Sequence, residues 1–151
     1  MLRRPLFIDD PAVIRIIGNI KDLLPHARWK NNYAYFLSLE GRDLERALAM
    51  AGRAIVLEEN NPTYLDTYAW VLYRLGRYDE AKKTMQQALS LDRSQSPDLQ
   101  LHYGDILAAL GEKFMAEVYW KKALEGGYDD PDAIVERFRR LKEAAQTPAA
   151  P

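Results

Sequence analysis

The chain repeats itself every 35 residues, and that limits what it can fold into. NNYAYFLSLEG (Asn31–Gly41), DTYAWVLYRLG (Asp66–Gly76) and LHYGDILAALG (Leu101–Gly111) align without gaps. Each has a Tyr (Tyr33, Tyr68, Tyr103), then a small residue, a Leu three positions on and a Gly four further. A second series follows: Ala47 and Ala54, Ala81 and Ala88, Ala116 and Ala123, each pair seven apart. Seven residues is about two helical turns, so each pair lies on one helix face. Pro62, Pro97 and Pro131 form a third series, preceded by Asn61, Ser96 and Asp130. Such a pair reads as a helix start: the side chain caps free N–H groups, and Pro lacks the one that would be orphaned. Each unit is therefore a helix, a Gly-containing turn and a second helix.

This pattern resembles the tetratricopeptide repeat, a helix–turn–helix of about 34 residues with small residues where helices touch. The resemblance spans three units, 27–61, 62–96 and 97–130. It is best in the second, with Leu65, Tyr68, Ala69, Leu72, Gly76, Tyr78, Ala81 and Ala88. In the third, Trp120 takes the large-residue slot of the second helix. Lys30 and Gln100 stand where a large apolar residue is usual, and unit one has an extra residue in its turn, EGRDLERA. NNPTYLDTYAWVLYRLGRYDEA and HYGDILAALGEKFMAEVYWKKAL are similar to C-terminal repeats of longer bacterial proteins of this family. The implied fold is all-α, a right-handed α-solenoid of three units with a capping helix at each end.

The ends fit that expectation. A leading segment, 1–26, opens a helix at Asp10-Pro11 that runs to Leu24, with Val13, Ile16, Ile17, Ile20 and Leu24 at helical spacing. A capping helix over 131–145 turns Ile134, Phe138 and Leu141 inward, and Glu136, Arg137, Arg139, Arg140 and Lys142 outward. A solenoid needs such a polar-backed terminal element to stay soluble. Residues 146–151 read as a disordered tail.

In this family the first helices line a concave groove and the second helices form the back. The register then sorts the rings of YLDTYAWVLYRLGRYDEA: Tyr68 and Tyr78 read as core, Trp70 and Tyr73 as groove-facing or packed on the next first helix. The resemblance places Arg28, Asn31, Tyr35, Asp66, Trp70, Tyr73, Arg74, Asp98, Leu101 and Asp105 along the groove. Rings in the middle and three Asp toward the C-terminal half suit a segment with an apolar anchor and a Lys or Arg. One subclass grips the C-terminal carboxylate of chaperone tails with a clamp of Lys, Asn and Arg. The matching positions here hold Asn31, Tyr35, Thr67, Asp98 and His102. The cations are missing and Asp98 replaces one, so a chaperone-tail carboxylate is not expected.

Little else in the sequence points to chemistry. His26 and His102 are the only histidines and lack any metal-ligand spacing, with His26 read as an exposed residue at a helix end. There is no Gly-rich phosphate loop, no G-x-S-x-G and no Cys. Asp9-Asp10 and Asp129-Asp130 read as helix-start acids, and Lys82-Lys83 and Lys121-Lys122 as solvated faces. No enzyme, cofactor or metal is expected. A formal charge of −1 over 151 residues gives no electrostatic reason for nucleic-acid binding. No segment has the length of a membrane span and no signal peptide is visible. The expected location is cytoplasmic, or exported if the chain is part of a longer protein whose signal was removed. Two functions remain: an adaptor that binds a peptide or partner protein in its groove, or a structural segment that self-associates by stacking through its N-terminal helix.

Overall fold

The computed structural model describes Pro11 and residues 26–147. The leading helix expected from Pro11 to Leu24, and the stacking edge built on it, lie outside the described residues apart from Pro11 itself. Seven helices occupy 26–147: α1 (His26–Glu40), α2 (Leu44–Leu57), α3 (Pro62–Arg74), α4 (Tyr78–Leu91), α5 (Pro97–Ala109), α6 (Lys113–Glu125) and α7 (Pro131–Gln146). Among the described residues there is no strand. The last helix takes in Gln146, which the sequence assigned to a tail, and ends at Thr147.

Pro62, Pro97 and Pro131 each open a helix, because Pro presets φ and lacks an N–H that the first turn leaves unpaired anyway. Asn61 caps α3 by accepting from the backbone N–H of Thr63 and Tyr64, and Asp130 caps α7 through Ala133. Ser96 does not cap α5 as expected. Its own N–H donates to Asp92 Oδ2 at 2.7 Å, while Asp92 Oδ1 accepts from Ser94, so Asp92 organises that loop instead. Between paired helices, Gly76 and Gly111 take φ of 79° and 80°, and the residue after each donates back to Leu72 and Leu107. This closes the helix with a left-handed residue, which Gly supplies at least cost. The extra residue in the first unit's turn is absorbed by Asp43 at φ 46°, a conformation that Asp tolerates better than most residues.

Helices pack pairwise and then in sequence: α1 on α2, α3 on α4, α5 on α6, with first helices α1, α3 and α5 also touching side by side. The alanine series sits at the crossings. Ala47, Ala54, Ala81, Ala88, Ala116 and Ala123 are all fully buried. Tyr68 is half-buried against the core as expected, whereas Tyr78 is no core residue: it is half-buried, with its ring tilted on Tyr73 at 5.6 Å. The third unit has a size exchange of its own. Its small residue is Gly104, where units one and two have Ala34 and Ala69. A Cβ there would lie 2.4 Å from Trp120 Cδ1, so the large ring on α6 requires the missing methyl on α5.

The capping helix turns Ile134 into the core, and Phe138 meets Trp120 edge-on at 5.6 Å. Arg137, expected outward, folds inward instead. Its guanidinium grips Asp105 with Nε to Oδ1 at 2.7 Å and Nη2 to Oδ2 at 2.9 Å. The reason is that Asp105 is buried, and a buried carboxylate demands donors. His26 is exposed at the start of α1, as read from the sequence.

Candidate functional site

The site is built on α1, α3 and α5. Trp70 and Tyr73 lie three apart on α3, so helical geometry brings their rings together. They stack at 4.8 Å between centroids, 24° between planes. The His102 ring of α5 stacks on the other partner of the pair, 4.3 Å from Trp70 and tilted by 25°. Tyr73, Trp70 and His102 thus form one continuous aromatic run across two units. The Trp70 Nε1–H is buried and, among the described residues, has no acceptor.

His102 is held in place by Asp66. Its Nδ1 lies 2.7 Å from Asp66 Oδ1, and both side chains are about nine-tenths buried. Burial alone would lower the imidazole's pKa, but the charge of Asp66 and its hydrogen bond more than offset that and raise it above its ordinary value. The sequence reading put His102 on the groove side by register and assigned it no role. The available signal was its place one repeat from Thr67, beside the acid of the preceding unit.

A cavity of about 320 Å³ opens beside this pair and is lined from all three first helices. It gathers Asn31 and Tyr35 of α1, Asp66 and Thr67 of α3, and Asp98 and His102 of α5. Among the described residues no Lys or Arg lines it. Burial raises the pKa of the Tyr35 hydroxyl, and the charges of Asp66 and then Asp98 push it further in the same direction. Asp98 is exposed and, among the described residues, makes no ion pair.

The other predicted groove residues divide. Asn31, Asp66 and Leu101 occupy equivalent positions in the three units and all are buried, at 5%, 7% and 1% exposure. That position lies in the seam between helices, so Leu101 belongs to the core and not to the groove surface. Asp105 is also buried and committed: besides Arg137 it accepts from Trp120 Nε1 at 2.9 Å. Of the three acids expected on the groove, only Asp98 is exposed, and its carboxylate is unengaged among the described residues. Arg28 is exposed, close enough to Tyr64 to act on its hydroxyl, and lies outside the cavity lining. Arg74 is exposed beside the first unit's turn: a Cβ on Gly41 would lie 3.2 Å from its Nη2. Among the described residues no cluster of His, Asp and Glu has a metal-binding arrangement, and no helix is long and apolar enough to cross a membrane.

Residues 62–94 match the family model of the tetratricopeptide repeat. No curated protein matches the chain in sequence. Among solved structures it is similar to the Yersinia enterocolitica type III secretion translocator chaperone SycD, with 18% identity over 92% of this chain and 97% of that one, at a TM-score of 0.66. It is also similar to the first tetratricopeptide-repeat domain of human RPAP3, with 18% identity over 80% of this chain and 92% of that one, TM-score 0.69. The second such domain of RPAP3, solved with the HSP70 peptide SGPTIEEVD, is 22% identical over 78% of this chain and 95% of its own, TM-score 0.65. The chain carries a tetratricopeptide repeat, and its described fold is that of a tetratricopeptide-repeat domain.

Proposed function

We propose that this protein is a non-catalytic adaptor that binds an extended segment of a partner protein along the groove formed by α1, α3 and α5. The observation that carries this reading is the stacked run of Tyr73, Trp70 and His102, of which Tyr73 and Trp70 are half-buried on the side of the first helices. A partly exposed aromatic face suits a peptide, which brings side chains to stack on it. Solved relatives in fold include a domain bound to an HSP70 peptide, which supports peptide binding as a use of this architecture. A chaperone-tail carboxylate is not the ligand we propose. The five positions that match the clamp hold Asn31, Tyr35, Thr67, Asp98 and His102, and they converge on a cavity that no Lys or Arg of the described residues lines. A carboxylate placed there would meet Asp98.

The test is capture of a partner by the purified domain, followed by measurement of its Kd for the parent and for Trp70→Ala. The reading expects weaker binding with an intact fold. Equal binding by the two proteins overturns it.

A further inference from the structure

The aromatic run of His102, Trp70 and Tyr73 does not stop at Tyr73. That ring is also one wall of a second cavity, of about 520 Å³, between α5 and the capping helix α7. Ala108 of α5, Trp120 of α6, and Ala133, Leu141 and Ala144 of α7 line it as well. Ala133 and Ala144 are eleven residues apart, so the opening runs about 16 Å along one face of α7. Its volume is that of a ligand pocket, typically about 300–1,000 Å³.

The repeat shows why the space is open. Counted from Pro131, Ala133 matches Leu99 and Tyr64, counted from Pro97 and Pro62. Leu99 and Tyr64 are both buried, and Tyr64 packs with Ala27 and Ala54 of the unit before it. Ala108 matches Tyr73 in the same way. Two positions that carry a ring or a leucine in earlier units thus carry a methyl here. The volume those side chains would take stays empty, with Tyr73, Trp120 and Leu141 as apolar walls around it.

The charged groups of the same cavity have a definite sense. Asp105, expected to draw a Lys or Arg from a partner, has met one within the chain, since Arg137 engages both its oxygens. Glu136 is held through both oxygens by Arg139 and accepts from Arg140 Nε at 3.0 Å. Arg140 lines the cavity, is 74% exposed, and among the described residues gives only that one nitrogen to an acceptor. Both acids are therefore engaged, and what the rim still offers a ligand is the accessible guanidinium of Arg140, which a carboxylate matches.

We propose that this cavity seats a large apolar side chain of the bound segment, with an aspartate or glutamate beside it at Arg140. The inference rests on the groove reading above and fixes the chemistry of the groove's C-terminal end. The charge is opposite to the Lys or Arg that the sequence suggested, because the acid that would have attracted one is neutralised by Arg137.

The experiment is a two-dimensional NMR titration of the whole chain with the blocked tetrapeptide acetyl-Ala-Leu-Glu-Ala-amide, at neutral pH and constant ionic strength. Two further peptides replace its Leu by Ala or its Glu by Lys. The proposal expects saturable shifts centred on Tyr73, Ala108, Ala133 and Arg140. The peptide without Leu should bind about ten-fold more weakly, and the one with Lys about three-fold more weakly. Ala133→Leu restores the side chain that Leu99 supplies one unit earlier, and should abolish the shifts while keeping or raising the Tm. Arg140→Gln, at an exposed position, should remove the preference for Glu over Lys and keep the preference for Leu over Ala. Absence of saturable shifts overturns the proposal, as does equal binding of the Leu and Ala peptides or unchanged binding by a folded Ala133→Leu. Should Ala133→Leu fail to fold, the peptide pairs and Arg140→Gln decide alone. Tighter binding of the Lys peptide overturns the acidic half. The groove reading has its own readout in Trp70→Ala, so absence of tetrapeptide shifts with a Trp70-dependent partner still bound removes this seat and leaves that reading in place.

Discussion

His102 Nδ1 sits 2.7 Å from Asp66 Oδ1, joining α5 to α3 across 36 residues of sequence. The contact ties two units together on their groove side and lays the imidazole flat on Trp70. The Asp66 pair and the candidate binding surface thus share the His102 ring.

The stability consequence follows from the direction of the shift. The folded pKa of His102 is raised above the unfolded value of about 6.5, so the protonated pair stabilises the fold fully below that pH. Its contribution is lost as pH rises through the folded value. Urea midpoints of the parent and of His102→Gln should therefore differ most in mild acid and converge in alkali. A difference that stays constant across that range would show that the imidazole acts only by packing.

Gly104 tests the size exchange with Trp120. Gly104→Ala puts a methyl 2.4 Å from Trp120 Cδ1 and should destabilise by roughly 1–3 kcal/mol. Unit two meets the same need with Ala69 and Met85, both fully buried. Trp120→Met should accordingly recover part of the loss in Gly104→Ala, seen as non-additivity in a double-mutant cycle of thermal or urea melts. Strict additivity would mean that the two side chains do not compete for space.

The alanine crossings predict a similar penalty elsewhere. Ala81 has no exposed surface, and Ala81→Leu should cost roughly 1–3 kcal/mol by overpacking. An unchanged melt would contradict the helix register.

Arg137 holds the capping helix through Asp105. Arg137→Met leaves a buried carboxylate with only the Trp120 indole as side-chain donor, and should cost about 1–3 kcal/mol, held down because the guanidinium is 28% exposed. Amide exchange should rise first in α7. Asp105→Asn added to Arg137→Met should return part of the stability, because it removes the unpaired charge. Exchange in α7 that is insensitive to Arg137 would show that Ile134 and Phe138 alone anchor the helix.

Trp70→Ala should weaken partner binding by about 30-fold, equivalent to ~2 kcal/mol, while the domain stays folded. Asp98→Lys should change the salt dependence of that binding and partner choice, since Asp98 is exposed. Calorimetry or fluorescence titration beside a melt separates the cases. An unfolded Trp70→Ala would place that ring in the core.

Periodicity made the architecture legible before any coordinates. Helix starts at Pro62, Pro97 and Pro131, left-handed stops at Gly76 and Gly111, and alanines at the crossings are all properties of short stretches, and a 35-residue repeat copies them from unit to unit. The register also brought Asn31, Tyr35, Asp98 and His102 to one side of the solenoid, because helical angle is a local quantity. What each polar group meets there is not local. Asp66 finds its partner one unit later in His102, Asp105 finds Arg137 32 residues on, and neither pairing has a counterpart in the other units from which it could be read. Leu101 shares its angle with Asn31 and Asp66, yet all three are buried, since the side-by-side approach of first helices closes over that position. Local sequence determines which way a residue faces, but burial and charge pairing depend on how closely the neighbouring helix approaches. That distance is set by the packing of every crossing at once, which only the tertiary structure decides.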